Sequence, residues 1–236
     1  MRQLYYTLEA QLLPGWKLPH PKTLKVEQHT EHERGSNERT IAELTGGTSS
    51  LPVDPRRWKD PPHVALANLG YASDRRGGVA SEKDIVWFTE RYGPLGVEGG
   101  ADTAALGEEP FWTKLEVFRW FQRNLREAWR KPDASLFLNP PGQDAKGMLG
   151  YDLMRITCEA KNGRLELRPM TCADYISILL TRDLAAGCAK VCQNPKCVSP
   201  YFVAKRRDAK FCSHPCAVLV NVIKFRQRQR CKRRKR

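Results

Sequence analysis

Between positions 191 and 216 the chain reads VCQNPKCVSPYFVAKRRDAKFCSHPC, and four of its eight cysteines fall inside that stretch. Cys192 and Cys197 are separated by four residues, Cys212 and Cys216 by three, and fourteen residues lie between the pairs. Four thiolates that converge on one ion need a tetrahedron, and two short loops let each pair approach from one side at small entropic cost. Asn194-Pro195 suits the turn inside the first pair. A helix starting near Ser213 places Cys212 and Cys216 one turn apart, facing the same point. The intervening YFVAKRR and AKF are short enough for a small hairpin, so a ββα module closed by Zn2+ is predicted here. Cys188 and His214 are the alternative ligands. Two disulfides, or unpaired core cysteines, are the competing arrangements. A chain without a secretory signal meets a reducing compartment, where paired cysteines more often hold metal. Four protein ligands also leave no open position, which disfavours metal catalysis.

Positive charge follows the cysteines. From Ala189 onward fifteen Lys and Arg face one acid, Asp208, a balance of +14. The whole chain of 236 residues also carries +14, so residues 1–188 are neutral on balance. Such a split describes a polyanion-binding end on an ordinary soluble body. A hydrophobic fraction of 41% and six tryptophans suffice for a packed core in that body. The opening MRQLYYTLEAQLLPGWKL has no apolar run of signal-peptide length and contains Glu9 and Pro14, so export is not expected. No run of 18 or more apolar residues suggests a membrane span, and a cytoplasmic location is expected.

The expected class is α+β, with a mainly helical N-terminal body that includes a β-hairpin, then the small zinc module and a basic helical tail. Residues 1–80 are rich in Pro, Gly, Ser and charge from position 17 onward and are expected to be mostly loop with short elements. Residues 81–188 form the body. In SEKDIVWFTERYG, Ser81 can cap, Asp84 is the third helical residue, Ile85, Phe88 and Tyr92 share a face, and Gly93-Pro94 ends the helix. A longer helix is expected over EEPFWTKLEVFRWFQRNLREAWRKP. Its apolar positions, Phe111, Leu115, Phe118, Phe121 or Gln122, Leu125 and Trp129, step by three and four, with Glu108 and Glu109 at the positive end. Alternating runs around Asn162-Gly163 signal a two-residue hairpin. Thr171 and Asp174 open a third helix whose Tyr175, Ile176, Leu179, Leu180 and Leu184 can pack on that hairpin, and Gly187 offers its stop. It runs straight into the cysteines, so the module, residues 189–225, is expected to dock on the body. Residues 226–236 are the tail.

The run from Cys192 to Cys216, followed by a basic helix, resembles the C-terminal CGNR-type zinc fingers that follow a larger N-terminal domain in bacterial transcription regulators. The likeness covers about 45 residues: the knuckle of Cys192 and Cys197, then Tyr201, Phe202 and Arg206, then Cys212-Ser213 opening an Arg-rich helix. It departs at the last pair, spaced by three where four is usual, and at the name-giving tetrad, which is Cys216-Ala217-Val218-Leu219 here. The resemblance implies a structural zinc ion and DNA binding.

The tail supports that direction. Val218, Leu219, Val222, Ile223 and Phe225 are expected to anchor a helix on the module, and Lys224, Arg226, Arg228 and Arg230 extend it. Successive helical residues turn by about 100°, so these cations do not share one face and suit phosphate contact better than base readout. The hairpin adds Lys205, Arg206 and Arg207 beside Tyr201 and Phe202, aromatics that either stack on bases or fill the module's small core. His29 and His32 lack metalloprotease spacing, Thr45-Gly-Gly-Thr-Ser-Ser lacks a phosphate-loop lysine, and no nucleophile, base and oxyanion donor assemble, so no enzyme is expected. The expected function is a zinc-stabilised nucleic-acid-binding protein, DNA being favoured over RNA, with a protein or small-molecule effector at the N-terminal body. The alternative is a protein–protein interaction adaptor. Replacing Cys212 with Ser is expected to release the metal and unfold 189–225 while the body stays folded.

Overall fold

A computed structural model describes residues 20–32, 38–49, 60–71, 78–95, 111–131, 156–161, 164–169 and 172–234. In chain order the elements are β1 (His20–His32), β2 (Glu38–Ser49), α1 (Pro62–Asn68), α2 (Glu82–Tyr92), β3 (Phe111–Lys114) and α3 (Leu115–Arg130). There follow β4 (Ile156–Lys161), β5 (Arg164–Pro169), α4 (Cys172–Ala185), β6 (Ala189–Val191), β7 (Tyr201–Val203) and α5 (His214–Arg234). The class is α+β, with antiparallel sheets β1-β2-β3, β4-β5 and β6-β7 among the described residues.

Local chemistry accounts for several elements. Ser81 Oγ accepts from the Asp84 backbone N–H at 3.2 Å, and Asp84 Oδ2 accepts from the Ser81 N–H at 2.9 Å, a reciprocal cap at the start of α2. Gly93, at φ 88°, ends that helix. The strands β4 and β5 pair from Ile156↔Pro169 to Lys161↔Arg164, which leaves the two-residue connection Asn162-Gly163, itself outside the described residues. Helix α4 ends where Gly187 takes φ 66°. The Gly187 N–H then reaches Leu184 O and the Cys188 N–H reaches Asp183 O, which satisfies two orphan carbonyls.

Two segments differ from expectation. Residues 17–80 hold a long hairpin, β1 with β2, and the helix α1 where mostly loop was expected. Val26 and Ala42 of that hairpin pack on the core, and the polar and charged residues that dominate both strands hide an alternation from the sequence. His29, His32 and Thr45-Gly-Gly-Thr-Ser lie on those strands. The second helix starts at Leu115, because Phe111, Trp112 and Thr113, all strand-favouring, pair with Gly46, Thr45 and Leu44 of β2. Phe111 therefore belongs to β3, and Glu108 and Glu109 lie outside the described residues, as does Thr171.

The core gathers around α3. Leu115, Phe118, Phe121, Leu125 and Trp129 are buried together with Leu66 and Ala67 of α1, Ile85, Phe88 and Tyr92 of α2, and Ile176 and Leu180 of α4. Two polar side chains of α3 tie down the end of α1. Gln122 Nε2 donates to Leu66 O and Leu69 O, each at 2.9 Å, and Arg126 Nε donates to Ala67 O at 2.8 Å. Gly70 follows at φ 81°, and a Cβ there would stand 3.0 Å from Gly78 O. Only glycine allows that approach.

Candidate metal centre

Strand β6 delivers the chain to the first cysteine, and the nine residues 192–200 then turn back into β7. The register Ala189↔Val203, Lys190↔Phe202 and Val191↔Tyr201 makes the Cys192–Cys197 knuckle the loop of the hairpin. The hairpin expected between the cysteine pairs, from YFVAKRR and AKF, is not formed: β7 pairs with β6, which lies ahead of the cysteines, because the knuckle itself supplies the reversal, and residues 209–211 are not in a strand. Asn194 builds that turn. Its backbone carbonyl accepts from the Cys197 N–H at 3.0 Å, and its side-chain Oδ1 accepts from the Lys196 N–H at 3.1 Å. The Gln193 N–H donates to Lys210 O at 2.9 Å, which draws the second pair toward the first.

Helix α5 begins at His214, and the Ala217 N–H reaches Ser213 O at 3.2 Å. Cys212 and Cys216 thereby stand one turn apart. All four sulfurs, of Cys192, Cys197, Cys212 and Cys216, lie within 4.8 Å of one another. Cys197 Sγ to Cys212 Sγ is 3.6 Å, Cys212 Sγ to Cys216 Sγ 3.6 Å, and Cys216 Sγ to Cys197 Sγ 3.8 Å. A tetrahedron of metal–sulfur bonds of about 2.3 Å has edges of about 3.8 Å, so three of the sulfurs already sit at coordination spacing. The donor set fits a metal ion. Cys188 and His214 are outside this group: the Cys188 Sγ lies 3.6 Å from Ala186 O, and His214 is exposed.

The environment divides the thiols. Burial pushes Cys197 and Cys212 up, whereas the Asn194 side-chain amide, donating to Cys216 Sγ at 3.2 Å, pulls Cys216 down to about 7. A cation held by these four sulfurs would supply the charge that four thiolates require and would lower the pKa of each coordinating thiol. Asn194, itself buried, thus acts on both halves of the site; the sequence suggested it only as a turn residue.

The module shares its core with the body. Tyr201 of β7 is 1% exposed, inside the cluster built on α3. Its ring meets Trp129 edge-on at 5.6 Å, and Trp129 Nε1 donates to Lys190 O at 3.0 Å. Tyr201 is therefore a core residue, while Phe202 is half-buried. Lys205, Arg206 and Arg207 lie exposed in the turn after β7, where Arg206 pairs with Asp208 at 3.3 Å. Lys224, Arg226, Arg228 and Arg230 are exposed along α5. The anchoring face of α5 differs from expectation: Val220 is buried and Ile223 half-buried, whereas Val218, Leu219, Val222 and Phe225 are exposed. Cys216 fixes this orientation, since residues four and seven positions after it share its face. Among the described residues no helix is long and apolar enough to cross a membrane. Comparison with known proteins finds no family model, no curated protein and no solved structure that matches this chain.

Proposed function

We propose that the chain is a zinc-stabilised nucleic-acid-binding protein that engages its partner chiefly through phosphates. The observation that carries this reading is the launch of α5 from the four-cysteine cluster: the second cysteine pair fixes the helix start, and exposed cations follow without an acid after Asp208. Zinc is the assigned metal because four thiolates in a closed tetrahedral site match its structural preference. The ion supplies rigidity to a module that would otherwise have too small a core. The resemblance to CGNR-type fingers favours DNA and a role in transcription, with the body as the site of an effector or partner protein.

Elemental analysis of protein purified without chelator should return one zinc per chain, and a metal-free product would overturn the assignment. Binding to duplex and single-stranded nucleic acid across a salt series tests the partner. If about five cations contact B-DNA phosphates, log affinity falls against log salt with a slope near −4.5. Neutralising Arg226, Arg228 and Arg230 should flatten it by roughly 0.9 for each of the three that reaches a phosphate, while leaving sequence preference little changed. Absence of binding even at low salt would leave the module as a protein-interaction adaptor.

A further inference from the structure

Helix α5 carries two apolar stripes. Cys216, Val220 and Ile223, spaced i, i+4 and i+7, form the inward face. Val218, Val222 and Phe225 repeat that spacing on the opposite face with Leu219 beside them, and they are 43%, 39%, 62% and 40% exposed respectively. Phe225 is the most exposed large hydrophobic side chain among the described residues. It stands exposed on α5 among Lys224, Gln227, Arg228, Gln229 and Cys231. An aromatic face, two cations and two amides thus stand side by side.

Charge and area decide what can cover the ring. Nine Lys and Arg and no acid lie between Lys224 and Arg236, so a second copy of α5 is repelled. Four partly exposed side chains also fall well short of the roughly 800 Å² per partner that a stable protein interface buries. The occupant must be strongly anionic and must present flat apolar surface beside its charges. Nucleotides combine the two. In a duplex each base is covered by its stacking neighbours and shows only its edges, and opening a step costs about a few kcal/mol. An unpaired base offers its face freely, and aromatic side chains take it up without regard to sequence. The placement of the cations points the same way. Lys224, Arg226, Arg228 and Arg230 are distributed around the helix, so a rigid duplex reaches only part of them while a flexible strand can follow the rest.

We propose that Phe225 is a stacking platform for an unpaired base, so that the chain prefers single-stranded to duplex nucleic acid. This rests on the nucleic-acid reading above and adds the strand state of the ligand. The test uses the full zinc-loaded chain, an oligothymidine of about a dozen nucleotides, and a mixed-sequence duplex of equal length, with affinity read by fluorescence anisotropy at about 0.15 M salt. The single strand should bind more tightly. Phe225→Ala should weaken single-strand binding about 5- to 150-fold, the range expected for losing one stacked base, and leave duplex affinity and both salt slopes within about twofold. Phe225→Trp should retain the single-strand affinity. A Phe225→Ala variant that loses nothing, or loses equally on both ligands, overturns the inference while the phosphate-binding reading stands on the salt slope. Failure of the unaltered chain to bind either ligand at low salt overturns both.

Discussion

The side-chain amide of Asn68 pairs with both backbone groups of Tyr201, a residue 133 positions away: Asn68 Nδ2 donates to Tyr201 O at 2.7 Å, and the Tyr201 N–H donates to Asn68 Oδ1 at 3.0 Å. One side chain here takes the place of a neighbouring strand. From the last residue of α1 it closes the outer edge of β7, and so fastens the hairpin that carries the metal ligands to the helical body.

Asn68→Ala should therefore leave the backbone of Tyr201 without partners at both groups. The expected loss is about 1–3 kcal/mol for an unsatisfied buried group, visible as a lower midpoint in denaturant at unchanged slope. Metal affinity should fall with it, since the knuckle is the loop of the same hairpin. Full retention of both would mean the pair contributes nothing.

Metal removal should reach beyond the module, whereas the sequence alone suggested that 189–225 would unfold and leave the body folded. Tyr201 lies in the cluster that holds Phe118, Phe121 and Trp129, so freeing the β6-β7 hairpin exposes one wall of the body's core. Cys212→Ser, or chelation, is expected to lower the melting temperature of the whole chain and to increase amide exchange in α1 and α3 as well as in residues 189–225. Exchange confined to 189–225 would show two independent units. Cys172→Ser, far from the sulfur cluster in sequence and buried in α4, should leave metal content unchanged.

Asn194→Ala removes the donor to Cys216 Sγ and the side-chain acceptor for the Lys196 N–H. Cys216 should titrate higher, and metal affinity should drop about 10- to 100-fold, with the larger deficit at lower pH where proton competition is stronger. Competition titration with a chromophoric chelator measures both.

Acidification should destabilise the body through His63. Its Nε2 lies 2.9 Å from Asp183 Oδ2, its ring stacks on Trp129 at 5.5 Å, and its buried Nδ1 has no partner. Burial pushes its pKa below the ordinary value despite Asp183, since a protonated ring would bury a second N–H donor without an acceptor. Asp183 is buried too, yet hydrogen bonds from His63 and Arg182 hold its carboxyl below the usual range. The unfolded chain takes up the histidine proton below about pH 6.5 while the folded chain resists it. This contribution is fully present above about pH 6.5 and is lost as pH falls toward the folded value, at up to about 1.4 kcal/mol per pH unit. Denaturant melts at pH 8 and pH 5.5 should show a smaller pH-dependent loss for His63→Phe, which preserves the stack on Trp129. Equal losses in the two proteins would exclude His63 as their source.

The sequence by itself determined what depends on spacing within a few residues. Cys192, Cys197, Cys212 and Cys216 were legible because each pair is joined by a short loop, and Ser81 with Asp84 because a capping box spans one helical turn. The Asn162-Gly163 connection and the cations of α5 were legible for the same reason. What only the tertiary structure decided involves partners far apart in the chain. Asn68 carries no local sign that it will serve as a strand edge for Tyr201, and Tyr201 gives no sign whether it stacks on a ligand or sits in the core. The hairpin of β1 and β2 escaped because both strands are dominated by polar and charged residues, and what defines it is pairing between residues up to 29 positions apart, His20 with Ser49. The exposed face of α5 escaped because apolar residues lie on both sides of it. Which stripe turns inward is fixed by Cys216, and Cys216 is oriented by ligands up to 24 positions earlier in the chain, at Cys192.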